Sequence, residues 1–227
     1  MAQIRRFKNR AQAGKLLAKA LGTVVHQPDA IVLALPRGGV PVGFAVAMTL
    51  DLAFDILLVR KLGLPGQPEY AIGAVGSGGV RVLQPGVPGL MGLTQEQVDA
   101  ITARELQEIE RRARLYRGGR AEPVLAGKDV VLVDDGIATG STMLAAVQVA
   151  RRRQARRVIV AAPVAPPDTL AALAPLADEV VCLAAPPFFR AVSQWYEAFD
   201  QTSDEEVQDL LAMAWRSRDL AHPLRST

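Results

Sequence analysis

Five short apolar runs limit what this chain can fold into: AIVLAL at 30–35, FDILLV at 54–59, VVLV at 130–133, VIVAA at 158–162 and EVVCL at 179–183. Each is near strand length, and runs this continuously apolar suit strands covered on both faces. Between several of them lie helix-length stretches, 41–50 opening with Pro41 and 140–153 opening with Gly-Ser-Thr, so strand, loop and helix repeat. That order predicts an α/β fold with a mostly parallel sheet flanked by helices. A helix over 8–25 precedes the first strand, because Ala13, Leu16, Leu17, Ala20 and Leu21 recur at i, i+3, i+4, i+7 and i+8. A final helix is expected over 203–214.

The 227 residues are half apolar and 22% charged, which excludes a disordered chain and fits one domain over 1–227. With only 5% aromatics, its core must be built from Ala, Val and Leu. The 26 basic and 23 acidic residues leave +3, too small a surplus for nucleic acid as the main partner. A small phosphate fits the pI of 9.3 better. One cysteine, Cys182, excludes an internal disulfide framework, and His26 and His222 are too few for a protein-built zinc site. A reducing cytoplasm is the expected location. The opening MAQIRRFKNRAQAGK lacks a hydrophobic signal core, and no uncharged run reaches the ~18 apolar residues of a membrane span. A soluble, unexported protein with no membrane contact is expected.

Two segments interrupt the alternation. In 69–83, Gly-Ser-Gly-Gly separates two alternating runs, which reads as a hairpin projecting from the sheet. Residues 94–116 read as a long helix, with Thr94 and Gln97 as a capping box and Val98, Ile101, Leu106, Ile109, Ala113 and Tyr116 along one stripe. Gly/Pro-rich joints at 84–92 and 118–127 make 84–128 a hinged helical insertion. Its stripe must pack on the body or on a second subunit. Glu108 with Arg112 and Glu110 with Arg114 form i, i+4 pairs, so most of its arginines, Arg104 and Arg111 included, belong to a solvated face. Arg117 and Arg120 lie beyond the last pairing glutamate and are the candidates for a functional role. The run Arg151 to Arg157 complements a helix C-terminus and does not call for nucleic acid.

Chemistry concentrates in VVLVDDGIATGST, Val130 to Thr142. A buried strand delivers two carboxylates, Asp134 and Asp135, to the edge where open α/β sheets bind ligands. Their acceptors can hold the vicinal hydroxyls of a ribose. The loop after them can turn its amides inward as an anion nest at a helix start, with Thr139, Ser141 and Thr142 as further donors. A diol clamp beside a phosphate cradle suits a ribose 5-phosphate. No Gly-Lys-Ser/Thr follows the glycines, which excludes a P-loop.

The segment resembles the 5-phosphoribosyl-1-pyrophosphate (PRPP) binding motif of type I phosphoribosyltransferases. The resemblance covers 30–190, with the 84–128 insertion as an unmatched elaboration, and implies that Asp134 and Asp135 meet the ribose hydroxyls, while Ala138, Thr139, Gly140, Ser141 and Thr142 enclose the 5-phosphate. LALPRGGVPVG, Leu33 to Gly43, looks like the family's pyrophosphate loop, where Arg37 and Gly38 would bind the anion. VRKLGLPGQPEY is similar to a stretch of adenine-type members. There Arg60 would contact the substrate and Lys61 would neutralise the pyrophosphate leaving group; Glu69 and Tyr70 begin the part corresponding to a mobile catalytic loop. Members acting on 6-oxopurines carry an acid where this chain has Ala138, so the loop looks more like those of adenine, orotate or regulatory members.

The resemblance further implies transfer of ribose 5-phosphate from PRPP to a small heterocyclic acceptor. Mg²⁺ would be held mainly by PRPP and not by a protein metal site, and a homodimer is the usual assembly. Residues 184–227 would contribute to a hood over the acceptor, with Phe188, Phe189, Trp195, Tyr196 and Phe199 available to stack or to pack the last helix. Arg117 and Arg120 would swing onto the pyrophosphate as the insertion closes. A non-catalytic sensor of PRPP or a nucleotide on the same fold stays open as the alternative.

Overall fold

The structure, a computed structural model, describes residues 6–25 and 29–221, the side chains of 68, 69, 220 and 221 excepted. The expectations for His26, His222 and the Glu69 side chain fall outside the described part. In chain order the elements are α1 (Arg10–Leu21), β1 (Ile31–Ala34), α2 (Gly39–Leu50), β2 (Ala53–Ile56), β3 (Val59–Leu64), β4 (Gln67–Gly76), β5 (Val80–Leu83), α3 (Val87–Leu90) and α4 (Gln95–Arg117). There follow β6 (Asp129–Val133), α5 (Ser141–Arg152), β7 (Arg157–Val164), α6 (Pro167–Leu173), β8 (Glu179–Ala184) and α7 (Asp204–Ala221). Among the described residues no helix is long and apolar enough to cross a membrane.

The five apolar runs give one parallel sheet in the order β2-β1-β6-β7-β8. Alternate residues serve two cores, as a strand period of two requires. Val32, Ala34, Val131, Val133 and Ile159 pack with α1, α2 and α7, while Leu33, Val130, Leu132, Val158 and Val160 pack with α5 on the other face. α1 approaches α2 closely, because a Cβ on Gly14 would lie 2.5 Å from Val42 O.

One run departs from its expected form. FDILLV is not a single strand: β2 stops at Ile56, and β3 begins at Val59 in a second, antiparallel sheet ordered β3-β4-β5. Leu57 and Leu58, both buried, carry the chain between the sheets. The expected hairpin at 69–83 is therefore two strands of a three-stranded sheet. It does not simply project, since Gly76 abuts Val149 of α5 so closely that a Cβ would lie 2.6 Å from Cγ1. Leu62 and Ile72 instead share a core with Val98 and Ile109 of α4.

Helix α4 has the expected capping box, with Thr94 Oγ1 accepting from the Gln97 amide and Gln97 Oε1 accepting from the Thr94 amide. Glu108 pairs with Arg111 and Arg112, and Glu110 with Arg114, as expected of a solvated face. Hydrogen bonds from both arginines hold the Glu108 carboxyl down at about 2. Its apolar stripe packs on the same chain. At its end the expectation for the two arginines fails. The Arg117 side chain is 2% exposed and is fixed by Asp55 at 3.1 Å, Glu122 at 3.5 Å and Ile56 O at 2.7 Å. Arg120 lies over the Trp215 ring at 4.8 Å and faces Asp219. Arg117 is not positioned to swing onto a ligand, because Asp55, an acid inside a buried strand, needs a buried cation beside it, whereas Arg120 stays half-exposed against α7.

Burial outweighs Arg117 and keeps the Asp55 carboxyl above its ordinary range. Removing the guanidinium would strand Asp55, while Glu122 would keep Arg153 at 3.1 Å. Arg117→Ala should lower unfolding free energy by about 3–5 kcal/mol in urea titration, whereas a cost below about 1 kcal/mol would show that the network is dispensable.

Candidate functional site

β1 and β6 run side by side with Ala34 opposite Val133, and the Leu35 amide donates to Val133 O at 2.9 Å. The residues after each strand, 36–39 and 134–140, therefore leave the sheet together. The sheet order turns outward from this pair in both directions, making it the switch point where open α/β sheets hold ligands.

The two loops touch. A Cβ on Gly38 would sit 2.1 Å from Asp135 Oδ2, and one on Gly39 would sit 2.7 Å from Val133 O. Gly38 has φ of −58°, so the glycine answers a need for space and not for a left-handed backbone. The Pro36–Arg37 peptide is cis.

Asp134 Oδ1 accepts from the Asp135 amide at 2.9 Å, and the Ile137 amide donates to Val164 O at 2.9 Å, which fixes the start of the loop. Its end is Gly140 at φ of 76°, the residue that opens α5. No side chain caps α5, and the first amides of a helix need an acceptor. Thr139 Oγ1 and Ser141 Oγ lie 3.1 Å apart, while Ala138, Thr139 and Thr142 are exposed. α6 backs the loop, with Thr169 Oγ1 donating to Ala138 O at 2.8 Å. The result is an open, hydroxyl-bearing turn at a helix N-terminus, suited to an anion.

The acid pair is electrostatically loaded. Burial, and then the charge of Asp135, push the Asp134 carboxyl well above its usual range. Burial also raises Asp135, against the pull of Arg10. Arg10 of α1 grips Asp135 Oδ2 with both Nε and a terminal nitrogen at 2.8 Å. Tyr196 Oη donates to the Asp135 carbonyl at 2.5 Å.

The terminal segments meet above this point. The Phe7 amide donates to Trp195 O and the Glu197 amide to Phe7 O, both at 2.8 Å. The Phe7 and Tyr196 rings are 5.5 Å apart, and those of Tyr196 and Phe199 are 5.0 Å apart. A Cβ on Gly136 would lie 2.5 Å from Val192. Most of the late aromatics are thus packing groups, but Phe188 is 89% exposed. α7 does not join them at the acid pair; it lies on the body, where Trp215 Nε1 donates to Phe54 O at 3.2 Å.

The cations form the other wall. Arg60 and Lys61 stand within β3, not at the end of a parallel strand as the run FDILLV suggested. Both line a cleft of ≈ 560 Å³ shared with Gly63–Gly66, Ile101, Arg104, Glu105, Thr142 and Ala145. A smaller recess next to it is bordered by Pro36, Arg60, Arg112 and Thr142, so the loop after β1, the cations and the start of α5 converge. Arg60 donates to Glu105, which Arg104 also contacts at 3.0 Å. Burial opposes ionisation of Glu105, but these hydrogen bonds hold its carboxyl below the usual range. Arg37 faces Asp204 at 3.6 Å, and Asp204 accepts from Tyr116 Oη at 2.6 Å. Burial, with that hydrogen bond, pushes the Tyr116 phenol up to about 12.

The structure therefore gathers Gly38, Asp134, Asp135 and 138–142 at one edge, with Arg60, Lys61 and Thr142 on one cleft. It turns Arg37 toward α7. The sequence does not point to Arg10, Glu105 or Asp204, and it offers Tyr196 only as a ring and not as a donor to Asp135; the partners of all four lie 45 or more residues away.

Comparison with known proteins identifies the family and the fold. Residues 3–195 match the phosphoribosyl transferase domain, and the chain belongs to that family. It is 49% identical over 210 residues to "Putative phosphoribosyl transferase Rv0571c" of Mycobacterium tuberculosis strain H37Rv, and equally to its counterpart MT0597 in strain CDC 1551. In both, the match covers 92% of this chain and 47% of the relative, so the chain spans about half the length of the curated relatives it matches. The crystal structure of TT1426 from Thermus thermophilus superposes with a TM-score of 0.85 at 43% identity, covering 92% of this chain and 98% of that one.

Two substitutions test the loaded edge. Gly38→Ala forces a methyl against Asp135 and should cost about 1–3 kcal/mol, the usual penalty of overpacking; an unchanged melting curve would show that the loops are not in contact. Asp134→Asn keeps the acceptor for the Asp135 amide and removes the like charge. Because the folded-state carboxyl is raised, wild-type stability falls as pH rises through that value. The variant should therefore gain Tm at pH 8, roughly 2–4 °C per kcal/mol relieved, and lose that advantage as pH falls toward 4. A gain independent of pH would contradict the assignment.

Proposed function

We propose that this chain transfers ribose 5-phosphate from PRPP to a ring nitrogen of a small heterocycle, with release of pyrophosphate. The observation that carries the reading is the convergence of a carboxylate pair, an uncapped helix start bearing hydroxyls and a glycine loop at the switch point of the sheet. Asp134 and Asp135 accept from the ribose hydroxyls. The amides and hydroxyls of Ala138, Thr139, Gly140, Ser141 and Thr142 take the 5-phosphate. Arg37 and Gly38 border the pyrophosphate, for which Arg37 must turn from Asp204; Arg60 and Lys61 receive its charge from the cleft side.

In the reaction the acceptor nitrogen bonds to C1 as the bond from C1 to the pyrophosphate oxygen breaks, and the acceptor's ring N–H proton passes to water or to the departing pyrophosphate. The electron pair leaves with the pyrophosphate. Charge grows on the leaving group and on an oxocarbenium-like ring, so the residues act by positioning and by fixed charge more than by moving protons. Among the described residues no three His, Cys, Asp or Glu gather as a metal centre, and in this reading Mg²⁺ comes with the oxygens of PRPP. Bound there, it would neutralise part of the pyrophosphate charge. Ala138 offers no carboxylate for a purine N7 proton, which favours acceptors such as adenine, orotate or uracil over hypoxanthine or guanine.

Turnover assays with PRPP, Mg²⁺ and these bases, read as pyrophosphate release, test the reading. Activity with one of the first three is expected. Lys61→Ala should then cut the rate about 10²- to 10³-fold, the loss typical of one preorganised donor, while leaving ribose 5-phosphate affinity within a few-fold. Saturable PRPP binding without turnover on any base would favour a sensor of PRPP or a nucleotide, and unchanged turnover in the variant would remove Lys61 from the leaving-group site.

A further inference from the structure

We propose that Arg10 is a positioning residue for this reaction, holding the Asp135 carboxylate toward the ribose and tying the two terminal segments to the acid pair. The inference rests on the proposed function for its meaning, and on the following geometry for its content.

Arg10 is the first residue of α1, and its target stands 125 residues away. Its guanidinium spends every part of its surface on one junction. Nε and one terminal nitrogen reach Asp135 Oδ2 at 2.8 Å, the other terminal nitrogen donates to Asp200 O at 2.6 Å, and the planar face lies 3.9 Å from the Phe199 ring centre. Both charged side chains are 12% exposed, so the pair is largely screened from water. Two bonds from one rigid, planar guanidinium converge on the same oxygen and hold Oδ2 in place more firmly than an ammonium on a flexible, freely rotating stem would.

Asp135 has little freedom elsewhere. Gly38 blocks one side, and Tyr196 Oη holds its carbonyl. The charged and titratable groups that meet the pair are Arg10 from α1, Asp134 beside it and Tyr196 from the segment after β8. Arg10 is the cation among them, so its loss leaves two adjacent, desolvated carboxyls with no local counter-charge. One of them must then take up a proton at a higher pH than in the wild type. A protonated or rotated Asp135 can no longer accept from a ribose hydroxyl in the same way. Arg10 also carries the Phe199 face and Asp200, so any shift of the terminal segments is felt at the acid.

Arg10→Gln and Arg10→Lys, compared by PRPP calorimetry between pH 6 and 9, decide the matter. For Arg10→Gln, affinity should drop about 10- to 100-fold at pH 7 and recover as the pH is raised toward 9, because the acid regains its charge with pH. Arg10→Lys, which restores the charge but not the fork, should lose less and show a smaller pH dependence. NMR titration of the Asp135 carboxyl carbon should move upward in Arg10→Gln whether or not PRPP is present. A deficit that is the same at every pH would mark Arg10 as merely structural, and wild-type affinity in both variants would overturn the inference while leaving the proposed function standing. Absence of saturable PRPP and ribose 5-phosphate binding in the wild type would instead sink the proposed function and the role of Arg10 with it.

Discussion

The parallel pairing of β1 with β6 is the constraint on which the site depends. Ala34 lies opposite Val133, and the register sets the residue after each strand within contact of the other. Because both strands are buried on both faces, a one-residue slip would move Val32 and Val131 from one core into the other and break the packing of both. The apolar packing of the sheet thus fixes the position of Asp135 against Gly38 to within the space of one missing Cβ. Polar groups with raised pKa values, here Asp134 and Asp135, are stable in that position only because the core holds it for them.

The second constraint is the small antiparallel sheet. It brings Arg60 and Lys61 to the cleft because the chain crosses between sheets at Leu57 and Leu58 and continues directly into β3. α5 packs on one side of it, through Val149 against Gly76, and α4 on the other, through Val98 and Ile109. The helix that opens the phosphate-type loop therefore also supports the cation-bearing strand. α4 is anchored at its far end by Arg117 on Asp55.

Local patterns in the sequence carried a good deal of this. Four of the five apolar strand runs, the Thr94 capping box and the Glu108 and Glu110 pairs depend on neighbours within four residues, and each is found in the structure. The acid pair and the loop to Thr142 were legible because strand, carboxylates, glycine and helix start follow one another without a gap. What was not legible depends on distant partners. Arg10 sits among several basic residues, and nothing near it in the chain announces Asp135. Arg117 looked free because its partners are on β2 and beyond Gly119, although Asp55, a lone acid in an apolar run, was a signal that a buried cation had to exist. The break in FDILLV was hidden for a similar reason: six apolar-rich residues read alike whether they form one strand or the ends of two.

A crystal structure with ribose 5-phosphate soaked or co-crystallised tests the central claim most directly. The account predicts the phosphate within hydrogen-bond distance of the amides and hydroxyls of 138–142 and the vicinal ribose hydroxyls on Asp134 and Asp135. Sugar phosphate ordered elsewhere, for example against Arg60 and Arg104 alone with the loop before α5 empty, would contradict it.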